Sequence, residues 1–132
     1  MGNQKDLKSS LDKLAQHVKQ RIDHTLRQAD EYTKTMNEDY ERFFIWNSED
    51  MYKMQELLRC YREFWQMICT GEPDRVLEYL ACKVKSLSIE LLENSPRQKS
   101  TNAMSSLACT LIVEVKQELL REFRMLLDDI NE

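Results

Sequence analysis

At 132 residues the chain has room for one domain, since halving it would leave two pieces each too small for a good core. Its 42% hydrophobic content and net charge of −4 exclude a disordered chain, and 23 acids against 19 bases leave no electrostatic footprint for nucleic acid. Two glycines and two prolines are too few for a turn-rich sheet protein, and no apolar run approaches the ~20 residues of a membrane span.

What remains is an all-α fold. In chain order, apolar residues first recur at Leu7, Leu11, Leu14, Val18, Ile22, Leu26, Ala29, Met36, Tyr40 and Phe43, in steps dominated by three and four. Ser9 with Asp12 three residues on reads as a capping box. The spacing predicts a first helix over 9–44, behind a short flexible segment over 1–8. At ~1.5 Å per residue that helix would exceed 50 Å. Thr35 and Asn37 are poor helix formers, which makes 33–37 the expected place for a break.

Asn47 or Ser48 can cap a second helix over 48–70, with Glu49 and Asp50 at its positive end. Gly71 is expected to end it in the left-handed conformation, and Pro73 to open a third helix over 73–94. So short a turn makes antiparallel neighbours. Pro96 ends the third helix, a polar loop follows to Ser100, and the fourth is expected over 101–130. The expected architecture is a four-helix-bundle-like domain over 9–132, with coiled-coil-like packing and a long first helix. Its core is expected to hold Leu57, Tyr61, Phe64, Ile68, Leu77, Leu80, Val84, Leu87, Leu111, Val115, Leu119 and Phe123. The first helix is nearly twice the length of the next two. Either it bends back or its overhang pairs with another chain.

Motifs for chemistry are missing: no G-x-S-x-G, no Gly-rich phosphate loop, no H-E-x-x-H. His17 and His24 share a polar face with Lys13 and Arg21, and neither sits in the Glu-x-x-His frame of a di-metal bundle. Cys60, Cys69, Cys82 and Cys109 form no C-x-x-C pair; they are expected to be reduced, unliganded and mostly buried. Neither an enzyme nor a bound cofactor or metal is expected.

The start Met1-Gly2-Asn3 resembles an N-myristoylation signal, but Asp6 stands where that signal needs Ser or Thr. The densest feature is Phe43-Phe44-Ile45-Trp46, and nine of the eleven aromatic residues lie between Tyr32 and Trp65. Four consecutive large apolar residues cannot all face one stripe. The run is either a packed corner closed by Trp46 or an exposed aromatic anchor.

The functional expectation is a non-enzymatic protein-protein interaction module, a helical adaptor or subunit of a larger complex. Tyr40, Phe43, Phe44 and Trp46 are its candidate partner-binding residues. The expected partner is another protein engaging through helices, with a second copy of the chain as one candidate and nucleic acid excluded. The alternative is a peripheral membrane adaptor using an acylated Gly2 and the weakly basic start (Lys5, Lys8, Lys13, Lys19 and Arg21). The expected compartment is the cytoplasm, with the nucleus left open.

Overall fold

A computed structural model describes residues 3–93 and 103–131. Five helices follow one another: α1 (Asn3–Glu38), α2 (Tyr40–Trp46), α3 (Ser48–Thr70), α4 (Pro73–Glu93) and α5 (Ala103–Asn131). The described residues contain no strand. α1 packs chiefly on α3, α4 chiefly on α5, and α5 also reaches α3 and α1, which closes the bundle.

The first long helix starts at Asn3 rather than near Ser9, so the Ser9–Asp12 pair lies inside it and caps nothing. Its break falls at Asp39, just past the expected 33–37 window. The helix continues through that window, where the threonine hydroxyls are satisfied inside it: Thr33 Oγ1 donates to Ala29 O at 2.9 Å and Thr35 Oγ1 to Glu31 O at 3.2 Å. Asp39 then leaves helical geometry (φ −151, ψ 87), and its carboxylate accepts the Arg42 N–H at 3.1 Å as the N-cap of α2. The overhang therefore bends instead of running on.

The α2–α3 link is a single residue, Asn47, whose N–H bonds Phe43 O at 2.8 Å. Neither expected cap acts through its side chain. Asn47 makes no side-chain cap, and Ser48 Oγ turns back to Phe44 O at 2.6 Å.

Gly71 ends α3 as expected, but not in the left-handed region. It is extended (φ −93, ψ 154). Glycine is needed there for room: a Cβ would lie 2.7 Å from Met67 O and 3.1 Å from Met67 Sδ. The Gly71 N–H bonds that same carbonyl at 2.7 Å. Pro73 opens α4, whose first-turn amides at Arg75 and Val76 both reach Glu72 O at 3.0 Å. The expected loop at 96–100 lies outside the described residues.

The core joins Leu14 and Val18 of α1, Tyr61 and Phe64 of α3, Val76, Leu80 and Leu87 of α4, and Val115, Leu119, Phe123 and Leu126 of α5. Phe64 stacks on Phe123 (centroids 5.4 Å apart, 24° between planes), and Tyr61 meets Phe123 edge-on at 6.3 Å. Eight of the twelve expected core residues are buried; Leu57, Ile68, Leu77 and Val84 are half-buried at the margins of their stripes. Beyond Thr25 no α1 residue is fully buried, because the second half of that helix leaves the four-way contact.

Candidate functional site

α2 sits at one end of the bundle and, among the described helices, touches only α1 and α3. Its seven residues are Tyr-Glu-Arg-Phe-Phe-Ile-Trp. Among them Phe43 points inward and is 8% exposed, anchoring the short helix. The others point out: Tyr40 is 64% exposed, Phe44 53%, Ile45 60% and Trp46 72%. Tyr40 and Phe44, one turn apart, stack with centroids at 6.4 Å and 22° between planes. At ~100° per residue, one inward position leaves the following three spread around the outer side. The four expected residues thus divide: Tyr40 and Phe44 form an exposed stacked pair, Trp46 is exposed on another side of the short helix, and Phe43 is buried beneath. Ile45 is exposed as well; its place in the apolar run was the only signal for it.

The exposure of Tyr40 also corrects the apolar stripe, which placed it in line with Leu26 and Met36. The turn at Asp39 resets the helical phase, so the earlier stripe no longer says which way Tyr40 points.

A second polar feature lies across the bundle. Glu122 on α5 is buried and accepts hydrogen bonds from His17 and Arg21 of α1. Arg21 grips it with two bonds, Nε to Oε1 at 3.0 Å and Nη2 to Oε2 at 3.2 Å. Burial pushes the Glu122 carboxyl up, but the hydrogen bonds from His17 and Arg21 outweigh that and hold it below the usual glutamate range. The polar face of α1 expected to carry His17, Arg21, Lys13 and His24 is therefore split: Lys13 and His24 are exposed, while the other two are turned onto α5.

An open groove of about 330 Å³ runs beside this cluster, lined by Arg21, Thr25, Tyr32, Lys53, Tyr61 and Glu118 among others. Its long cations are engaged. Arg21 holds Glu122, and Lys53 Nζ lies 3.2 Å from Glu114 Oε2 and 3.9 Å from Asp50 Oδ1. Burial raises the Tyr61 hydroxyl above its ordinary pKa, so it stays a neutral phenol. These groups tie α1, α3 and α5 together.

All four cysteines are free thiols. The expectation of burial fails for three: only Cys60 is half-buried, while Cys69, Cys82 and Cys109 are exposed. Among the described residues, no group of three or more His, Cys, Asp or Glu is placed to hold a metal ion. No helix among them is long and apolar enough to cross a membrane. Gly2, the residue an acyl chain would occupy, lies outside the described residues, and Arg21 of the weakly basic start is committed to Glu122.

No protein-family model, curated protein or solved structure matches the chain.

Proposed function

We propose that this protein is a non-enzymatic helical interaction module, an adaptor or subunit of a larger assembly, that docks a protein partner through α2. One observation supports the reading most. A seven-residue helix, fixed by Phe43 and capped by Asp39, holds Tyr40, Phe44, Ile45 and Trp46 all more than half exposed. Single exposed apolar residues are ordinary on a protein surface, but a contiguous group of large ones marks interaction sites. Tyr and Trp are also the residues most enriched where binding energy concentrates. The stacked pair Tyr40–Phe44 lowers the ordering cost of binding, because each ring already restrains the other.

The test compares affinity purification of the wild type and the double variant Phe44→Ser, Trp46→Ser. Both positions are exposed, so the helical circular dichroism should be unchanged. Partners that bind the wild type should be absent from the variant eluate. Equal recovery from a folded variant removes α2 as the docking surface.

A further inference from the structure

The acidic residues around the exposed rings carry the argument further and rest on the reading of α2 as a docking surface. Between positions 38 and 50 stand Glu38, Asp39, Glu41, Glu49 and Asp50 against one base, Arg42. All six are exposed. This stretch therefore sums to −4, which is the net charge of the whole chain; the other residues hold 18 acids and 18 bases. The stretch of sequence that carries the exposed rings thus also carries the chain's charge imbalance. The rim is partly tied down: the Asp39 carboxylate caps α2 and Asp50 lies 3.9 Å from Lys53. Glu38, Glu41 and Glu49 are the exposed acids of this stretch that neither cap α2 nor lie beside Lys53.

We infer that the occupant of this surface is an amphipathic partner helix whose apolar face is flanked by lysine or arginine. An apolar centre alone would accept many surfaces. The rim selects among them. Two copies of this chain meeting through α2 would bring one acidic rim against another. An anionic membrane surface would be repelled in the same way. A helix with apolar residues at i, i+3, i+4 and i+7 lays one stripe over the stacked Tyr40–Phe44 pair and sends the basic side chains beside that stripe to the acids. Charge arranged this way sets partner choice and the speed of encounter, while the rings hold the complex.

Titration calorimetry of the full chain tests this with two designed peptides of equal length and apolar pattern, one of leucine and lysine and one of leucine and glutamate. The leucine–lysine peptide should bind and the leucine–glutamate peptide should not. Binding should weaken about tenfold when both Glu41 and Glu49 are replaced by Lys, which brings the rim to zero charge. A milder pair that leaves α2 intact, Glu38→Gln with Glu49→Gln, should weaken it about threefold. The Phe44→Ser, Trp46→Ser variant should lose binding altogether. If both peptides bind equally and Phe44→Ser, Trp46→Ser abolishes both, α2 remains a docking surface but the basic-helix inference is overturned. If the leucine–lysine peptide binds that variant as well as the wild type, the docking reading falls too. Failure of both peptides to bind overturns the inference. So does self-association of the chain, or binding to phosphatidylserine vesicles, that requires Phe44 and Trp46.

Discussion

The guanidinium of Arg21 holds both carboxylate oxygens of Glu122, at 3.0 and 3.2 Å, across 101 positions of sequence. This is the bidentate geometry for which arginine is suited and lysine is not. It fixes the register of α1 against α5, since a slide of one turn would separate the pair by about 5 Å.

Acid should therefore loosen the fold. The folded Glu122 carboxyl titrates below its ordinary value, so the unfolded chain binds its proton more readily. Its contribution to stability is complete above the unfolded glutamate pKa of about 4.3 and disappears as the pH falls through the lower folded value. Glu122→Gln should remove that part of the acid dependence and cost about 1–2 kcal/mol near neutral pH, a discounted figure because the Arg21 side chain is 41% exposed. Urea midpoints measured from pH 6 to pH 3 check this: the wild-type curve should fall more steeply than the variant's.

Gly71→Ala should destabilise. Where the backbone tolerates it, adding a methyl to a glycine stabilises by about 0.4–1 kcal/mol through the unfolded chain. Gly71 has a negative φ, so no backbone penalty arises. Its Cβ, however, would sit 2.7 Å from the Met67 carbonyl, a backbone atom of α3 that cannot swing aside. Relieving that contact should cost about 1–3 kcal/mol. Thermal denaturation gives the sign directly, and a higher midpoint for the variant would show that the turn has slack.

Phe43 and Phe44 should behave as opposites. Phe43→Ala empties a buried position beneath α2 and should cost about 3 kcal/mol, whereas Phe44→Ala at a 53% exposed site should stay within about 0.5 kcal/mol. Paired chemical denaturation of the two variants reads the difference, and similar losses would mean that the short helix is not held as described.

Thiol reactivity should divide three to one. Cys69, Cys82 and Cys109 are exposed and should react promptly with a disulfide reagent in the native protein. Cys60 is half-buried, and burial raises its pKa, so it should react last. Counting fast and slow thiols under native conditions, then all four in denaturant, makes the measurement.

The helices themselves were legible in the sequence because apolar residues at steps of three and four, with almost no glycine or proline, leave little else to form. Gly71 and Pro73 marked their boundary for the same reason. The turn at Asp39 was harder to read. Thr35 and Asn37 looked like the weaker points, yet the Thr33 and Thr35 hydroxyls bond within their own helix while a single aspartate makes the cap. That one-residue interruption decides which aromatic faces out. A periodicity continued through it places Tyr40 on the inner stripe and contains no information about the new phase. The Glu122 cluster was hidden for another reason. His17 and Arg21 plainly shared a polar face, but which stripe of which later helix meets that face is set by packing. The cysteines misled because neighbours in sequence do not give direction on a helix. Cys82 follows Leu80 and Ala81, yet points to solvent.

The reach from α1 to α5 also has a history in synthesis. Val115, Leu119 and Phe123, which share the core of Leu14 and Val18, are added to the chain about a hundred residues after them. At the usual elongation rates of about 5–20 residues per second, that is roughly 5–20 seconds. During that interval α1 can find α3 but not α5, and the hydrophobic seam that Glu122 later locks stands open. A nascent chain in this state is a natural client for chaperones, and slow codons between α3 and α5 would lengthen its exposure.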